Sequence, residues 1–335
     1  MSRVVLVTGV SRYLGGRLAR LLSDDPSVER IIGVDVVPPK ADLGRTEFVR
    51  ADIRNPVIAK VINAAEIDTV VHMNVIATPV GAGGRTSMKE INVIGTMQLL
   101  AACLKAPTVK KFVVKSSSTV YGVSAKDPAM FREDMEPKKL PRSGFAKDSV
   151  EVEGYVRGFA RRRPDVLVTT LRFANFFGPG MDTPLTRYFQ LPLVPTVMGF
   201  DGRMQFVHED DGLDVLQQCV AQDLPGTFNV AGDGVIMLSQ AVARAGRIAV
   251  PLPTPLASVV RDTVRRLGLI DFSPEQVEFL KYGRGLDTTR MRSMLGFSPK
   301  YSTVETFDDF VHAHHLREPA TVDRDLVAAG RGGSR

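Results

Sequence analysis

Across its first 180 residues the chain alternates short apolar runs with helix-length segments, and this alternation constrains the fold more than any other feature. Runs at 4–8, 31–35, 47–50, 69–75, 112–115 and 166–172 read as strands, and segments at 15–23, 57–64, 88–105 and 147–162 as helices. Strands joined through helices run parallel, because a parallel neighbour is reached only by a crossover. The crossover helices then cover both faces of the sheet. The expectation is an α/β fold on a doubly wound parallel sheet. After "FFGPGMDTP" the pattern loosens and prolines become frequent, as in a smaller lobe with long loops. Within that stretch "MQFVHEDDGLDVLQQCV" and "GTFNVAG" read as a helix and a strand returning to the main sheet. The expected division is a main domain of residues 1–180 joined by 204–231, a smaller substrate-binding lobe of 181–203 and 232–317, and a polar, Gly-rich, disordered tail of 318–335.

The first strand runs into "VTGVSRYLGG", a tight turn that opens a helix. Glycines there let the turn close and let backbone N–H groups approach a pyrophosphate at the helix N-terminus. Gly9 and Gly15 hold the outer positions of a G-x-x-G-x-x-G pattern, while Arg12 stands at the middle position. By itself the broken pattern is equally a plain strand–helix turn. Context adds Asp35, which ends the second strand about 20 residues beyond the turn, where a carboxylate accepts from an adenosine ribose and repels a 2′-phosphate. The combination points to a Rossmann-like site with NAD as its cofactor. Asp52 and Ile53, in "RADIRNP", follow the third strand, where an adenine ring could rest; for Asp52 a helix cap before Pro56 is the other reading.

Composition narrows the function classes. The net charge of +6 raises nucleic acid, but the basic residues are scattered, with small groups at 161–163 and 265–266 that suit exposed helix ends. No basic stretch is interleaved with aromatics, so nucleic acid is not the expected partner. Cys103 and Cys219 fit neither a disulfide framework nor metal spacing, and read as buried free thiols in a reducing compartment; no metal is expected. No apolar run reaches the ~18 residues of a membrane span. The opening "MSRVVLVTGV" continues into the glycine turn and reads as a first strand of a cytoplasmic protein.

Ten stretches stand in order: "VTGVSRYLGG", "GVDV", "ADIRNP", "DTVVHMNVIA", "INVIGTMQLL", "VVKSSSTVYG", "AKDSVE", "LRFANFFGPG", "MQFVHEDD" and "FNVAG". In order and spacing they resemble the extended short-chain dehydrogenases/reductases of the NAD-dependent epimerase/dehydratase family, which includes UDP-glucose 4-epimerase. The resemblance spans roughly residues 3 to 315. It implies that Gly9 and Gly15 face the pyrophosphate, Asp35 the adenosine ribose, and Asp52 and Ile53 the adenine. Ser117 matches the hydroxyl that bonds the reacting sugar oxygen, and Lys147 the lysine that binds the nicotinamide ribose and lowers the pKa of a catalytic tyrosine. Asn92 matches a helix residue of the site, and Asn175 a contact to the nucleotide-sugar diphosphate. His72 matches the family's strand-4 segment, with a bland strand-end role expected. Arg284 and Asp287, in "YGRGLD", stand at the spacing used for a diphosphate and a uridine ribose, and equally at that of a surface pair. Met204 holds a position often given to a phosphate-binding Arg, with Arg203 beside it. The resemblance further implies a nucleotide-sugar partner and a homodimer through a four-helix bundle of 88–105 and 147–162.

Two departures bear on chemistry. The family's tyrosine stands four residues before the lysine, and here that residue is Ser143. A phenol, with an ordinary pKa of about 10, can be brought towards neutrality by a nearby lysine, whereas an aliphatic hydroxyl has no comparable route to an anion. None of the six tyrosines has Lys four residues later. Arg12 is the second departure, because its side chain must either pair with phosphate or fill part of the site. Three uses of the fold follow: an unusual NAD-dependent epimerase, dehydratase or reductase; a silent nucleotide-binding sensor or scaffold; and a structural or nucleic-acid-associated protein.

Overall fold

The computed structural model describes residues 3–73, 84–141, 144–254 and 274–316. Ser143, the last part of the strand expected at 69–75 and the tail of 318–335 lie outside the described residues. The first half of the main sheet is built by β1 (Arg3–Thr8), α1 (Tyr13–Ser23), β2 (Val28–Asp35), β3 (Glu47–Arg50), α2 (Val57–Ala64) and β4 (Thr69–His72). One helical run follows, made of α3 (Arg85–Lys89), a π-helical segment (Glu90–Gly95) and α4 (Thr96–Lys105). Then come β5 (Lys111–Ser117), a 3-10 turn (Ser118–Tyr121), α5 (Gly144–Arg162) and β6 (Leu167–Phe173). The remaining elements begin with β7 (Asn175–Phe177), α6 (Pro184–Gln190), β8 (Leu193–Val197), β9 (Arg203–Met204), β10 (Phe206–His208) and α7 (Glu209–Ala221). After these stand β11 (Gly226–Val230), β12 (Ile236–Met237), α8 (Leu238–Arg244), β13 (Ile248–Leu252), α9 (Pro274–Tyr282), α10 (Thr289–Ser293) and α11 (Thr303–Ala313).

Seven parallel strands stand in the order β11-β6-β5-β4-β1-β2-β3. The order reverses between β1 and β4, which puts the switch-point crevice at the C-terminal ends of those strands. Successive side chains point to opposite faces. Val5, Val7, Val71, Val113 and Leu171 bury against α1 and α7, and Leu6, Val70, Phe112 and Val114 against α2, α4 and α5. Burial on both faces is why these strands read as continuous apolar runs rather than as alternation. A third apolar cluster lies apart from the two that flank the sheet, and in it Phe177 lies 4.2 Å from Phe206, ring centre to ring centre, with Phe189, Phe307 and Phe310 around them. Cys103 and Cys219 are free and buried, and burial pushes each thiol up to about 12.

The helix expected at 88–105 carries a π-helical segment, where Gly95 meets Ile53. A Cβ on Gly95 would stand 2.8 Å from Ile53 Cδ1, so the glycine makes room for that side chain. Thr96, just beyond, closes a buried chain of hydrogen bonds through β4. Met73 N–H donates to Thr8 Oγ1 (3.2 Å), and Thr8 lies 2.9 Å from His72 Nδ1. His72 Nε2 lies 2.8 Å from Thr96 Oγ1, which donates to the Asn92 carbonyl at 2.5 Å. Because the Thr96 proton is used on Asn92, its oxygen accepts from His72 Nε2–H, and Nδ1 accepts from Thr8. His72 is thus a neutral structural crosslink between β1, β4 and the helix.

A second buried network ties β6 to α5, the 3-10 turn and β11. Arg172 grips Glu153 through Nη2 (2.7 Å) and Nε (3.0 Å), while Nη1 donates to Tyr121 OH (2.9 Å). Ser116 Oγ donates to Glu153 (2.6 Å), and Tyr121 OH donates to Asn229 Oδ1 (2.7 Å).

Two stability tests follow. Arg172→Leu removes the buried cation of Glu153, leaving only the exposed Arg157 at 3.6 Å, and should cost about 3 kcal/mol in chemical denaturation. Arg187→Ala, which breaks the exposed pair with Asp182, should cost under about 1 kcal/mol; equal losses would refute the assignment of the inner network. For His72, burial first and the Lys115 charge second hold the ring down to about 3, against 6.5 ordinarily. The unfolded chain therefore takes up a proton that the folded chain refuses. This contribution is complete above pH 6.5 and is lost as pH falls from there towards 3. His72→Gln should flatten the acid-side decline by up to about 1.4 kcal/mol per pH unit, measured by denaturation at several pH values. An unchanged slope would rule the crosslink out as its source.

Candidate functional site

The glycine turn is closed by contact. Gly9 has φ +78°, donates its N–H to the Val34 carbonyl (2.8 Å) and accepts from Arg12 N–H (3.1 Å). A Cβ on Gly15 would stand 2.1 Å from the Gly9 carbonyl oxygen, so no side chain fits there. Gly16 has the same function towards the Val10 carbonyl, 2.9 Å from its own would-be Cβ. The sequence reading missed it, although the doubled glycine was the signal. Arg12 stands at the N-cap of α1 and makes no side-chain cap bond, so the first-turn N–H groups open to the crevice. Asp35 is buried at the end of β2, accepting from Ser11 N–H (3.1 Å) and Val36 N–H (2.7 Å). A carboxylate has about four lone-pair sites, which leaves capacity for ribose hydroxyls. Burial lowers the Arg12 pKa, and the Asp35 charge acts in the opposite sense, which places guanidinium and carboxylate in electrostatic reach.

The adenine-side residues are arranged differently from one another. Asp52 is gripped by Arg54 (2.6 Å), whose hydrogen bonds hold its carboxyl below the usual range, and Arg54 also reaches Glu90 (3.1 Å). Ile53 is buried against Gly95.

Ser117 ends β5, and its Oγ accepts from Thr119 N–H (3.2 Å), capping the 3-10 turn. Thr119 Oγ1 lies 3.4 Å from Ser149 Oγ, which connects that turn to the helix bearing Lys147. Lys147 lies in the first turn of α5, 3.7 Å from Glu151 and half-exposed. Beside it Asp148 is fully buried and gripped by Arg85 at 2.6 and 2.7 Å; Arg85 also donates to the Gly144 carbonyl (2.9 Å). Asn92 Nδ2 reaches the same carboxylate at 3.3 Å. These contacts fix the start of α5 and hence Lys147. Sequence reasoning missed Arg85 and Asp148, whose only signal was an acid directly after the lysine. The six tyrosines all fall among the described residues, and none shares a hydrogen bond with Ser117 or Lys147 there. Tyr13 donates to Glu209 (2.6 Å), Tyr121 to Asn229 (2.7 Å) and Tyr188 to the Pro195 carbonyl (2.9 Å).

On the substrate side, Asn175 is half-buried at the start of β7, in register with Phe206 of β10. Met204 is buried in β9, and Arg203 donates to the Ala129 carbonyl (2.7 Å). Arg284 is buried and turned inward. Its guanidinium donates to the Gly122 carbonyl (2.6 and 3.1 Å), lies 3.4 Å from Ser118 Oγ and sits over the Phe279 ring; burial lowers it to about 10. Asp287 accepts from Thr289 N–H (2.8 Å) at the start of α10. Arg284 therefore supports the floor beneath the Ser117 turn, and Asp287 holds the turn that follows.

A closed glycine turn, an uncapped helix N-terminus and a carboxylate at the end of β2 fit NAD at the switch point. The fold is that of solved sugar-nucleotide enzymes. A UDP-glucose 4-epimerase from Thermotoga maritima, solved with UDP-glucose, superposes with a TM-score of 0.70 at 20% identity, covering 93% of this chain and 98% of the other. A dTDP-glucose 4,6-dehydratase from Bacillus anthracis, solved with NAD, gives 0.69 at 17% identity, covering 95% and 98%. An uncharacterized protein of Mycobacterium tuberculosis is 50% identical over 319 residues, covering 94% of this chain and 85% of its own length. Residues 5–231, from the first strand through β11, match a single family across this whole sheet, and the chain belongs to the NAD dependent epimerase/dehydratase family.

Proposed function

We propose that the protein binds NAD and a nucleotide-sugar in one crevice, and that its redox chemistry is altered from the family's or lost. The observation that carries this is an intact dinucleotide cradle (Gly9, Gly15, Asp35) beside Ser117 and a braced Lys147, while Ser143 holds the tyrosine position. Bound NAD supplies a hydride acceptor. Asp35 receives the adenosine ribose, the α1 N-terminus and Arg12 the pyrophosphate, and Ser117 a hydroxyl of the sugar. Asn175 lies on the side where the nucleotide-sugar diphosphate binds, above a floor held by Arg284 and Asp287. Lys147 holds the nicotinamide ribose without a phenol to activate. A cytoplasmic homodimer suits the exposed helix faces, where Ile94 and Tyr155 are exposed and Gly154 and Gly158 have open space around them. No helix among the described residues is long and apolar enough to cross a membrane.

The second reading is a non-catalytic sensor or scaffold that binds the nucleotide and reports it to a partner. The hydrogen bonds that occupy Tyr13, Tyr121 and Tyr188 favour it, since among the described residues no tyrosine hydrogen-bonds Ser117 or Lys147.

Titration calorimetry tests the cofactor. NAD should bind at least about tenfold tighter than NADP, because Asp35 faces the 2′ position and a carboxylate against a phosphate costs about 1–2 kcal/mol; tighter binding of NADP refutes the assignment. Turnover tests the chemistry. UDP should bind, read by thermal shift and saturation-transfer NMR, while epimerisation of UDP-hexoses is weak, since the missing acid/base is worth about 10²–10⁴-fold. Ser143→Tyr should raise turnover. Robust wild-type turnover that survives Ser117→Ala would show that the chemistry runs elsewhere, and no UDP signal at millimolar concentration would remove the nucleotide-sugar site.

A further inference from the structure

β5 carries two lysines, Lys111 and Lys115, four residues apart and therefore on one face of the strand. Their partners in the register are Leu167 and Leu171, and Leu171 lies in the core shared with α1 and α7. Lys111, at the start of the strand, is buried and satisfied: it donates to the Val220 carbonyl (3.1 Å) and the Gln222 carbonyl (2.7 Å) and pairs with Asp223 (2.8 Å). Lys115, at the crevice end, is half-buried and has no hydrogen bond or ion pair among the described residues. Its charged neighbour is another cation, Arg12 of the glycine turn. Burial first, and Arg12 second, push the Lys115 ammonium down to about 8. His72 is held neutral by burial and adds no charge, and the Asp35 carboxylate at the end of β2 acts on Arg12. The charge left unanswered among the described residues is therefore that of Lys115, and a half-buried cation without a partner disfavours a further positive charge beside it.

The strand order says which ligand segment meets them. A dinucleotide whose adenosine ribose lies at Asp35 and whose pyrophosphate lies at the β1 turn continues across the switch point, over the ends of β4 and β5. Arg12 then meets the pyrophosphate, and Lys115 meets the nicotinamide half, two residues before Ser117 on the same face. The oxidised ring is cationic and the reduced ring neutral, so NADH is more negative than NAD by one charge while the rest of the molecule is unchanged.

We propose that Lys115 makes this crevice selective for NADH over NAD. The inference rests on the dinucleotide reading above and assigns a cofactor-state preference to a residue that the resemblance left without a role. Lys115 acts on the ring as a charge and needs no direct hydrogen bond to it.

The test is titration of the full chain with NADH and NAD separately, for wild type, Lys115→Met and Lys115→Arg. Wild type should bind NADH about tenfold or more tighter, the scale of a unit charge acting across a partly buried site. Lys115→Met should bring the two affinities towards equality, chiefly by strengthening NAD, and Lys115→Arg should keep the preference. Melting curves confirm that the variants fold, and the Arg variant carries the test if Lys115→Met does not. Equal wild-type affinities, a preference for NAD, a ratio unmoved in Lys115→Met or a preference lost in Lys115→Arg each overturn the selectivity while leaving the dinucleotide site standing. Binding of neither cofactor at millimolar concentration overturns both.

Discussion

The contact between Gly15 and the Gly9 carbonyl sets the rest of the crevice. With 2.1 Å between that oxygen and any added Cβ, α1 can begin only where residue 15 is glycine. That close start aims the helix N-terminus across the end of β1, and it brings Ser11 N–H to the Asp35 carboxylate at 3.1 Å. β1, α1 and β2 are thereby locked around one point. The positive end of the helix and the negative end of β2 stand at opposite sides of it, an arrangement that suits a pyrophosphate on one side and a ribose on the other. Tyr13 and Arg17 tie the same helix to Glu209 of α7 (2.6 and 2.8 Å), and Gly180 leaves the space that the Tyr13 ring needs.

Parallel strands leave their C-terminal ends in the crevice, so polar groups there need internal partners or ligands. Most have internal partners. Thr8, His72 and Thr96 form a closed donor chain, and Arg172, Glu153, Ser116, Tyr121 and Asn229 form another. Asn229 Nδ2 also donates to the Phe131 and Asp287 carbonyls (2.9 and 3.1 Å), which carries the second network into the region around Arg284. β6, α5, the 3-10 turn and the segment around Arg284 therefore share one buried hydrogen-bonded frame. Such a frame is rigid because each member, once unpaired, bears the desolvation cost of a buried polar group.

What was legible in the sequence follows from the range of each interaction. Strands buried on both faces must be apolar at nearly every position, so β1, β4 and β5 announced themselves. β2 begins at Val28, three residues before its apolar run, because Val28 is buried and pairs with β1 across the exposed polar Glu29 and Arg30. The glycine turn and Asp35 are local patterns and were read as such. The π-helical segment was not, because it depends on Ile53 meeting Gly95 from another element. Arg85 and Asp148 are 63 residues apart, and nothing in either neighbourhood names the other. For Arg284 the R-x-x-D spacing was visible, but its inward turn towards Gly122 is set 162 residues away.

Lys115 stands apart from this pattern of internal satisfaction among the described residues. Asp148 is as deeply placed as any charge in the fold, and Arg85 answers it; Lys111 is answered by two carbonyls and Asp223. A fold that neutralises these buried charges yet sets Lys115 beside another cation keeps a positive field at the point where its parallel strands open. In the proposed reading that charge stands on the cofactor side of Ser117 and Ser143 on the acid/base side. The two features act in one sense. On that reading, a serine at position 143 would leave no phenol to take a proton from an alcohol, and the Lys115 charge would disfavour the oxidised ring that takes the hydride. Both would bear on the same half of a redox cycle, oxidation of a bound alcohol, and neither touches the turn, the helix terminus or the carboxylate proposed to hold the dinucleotide.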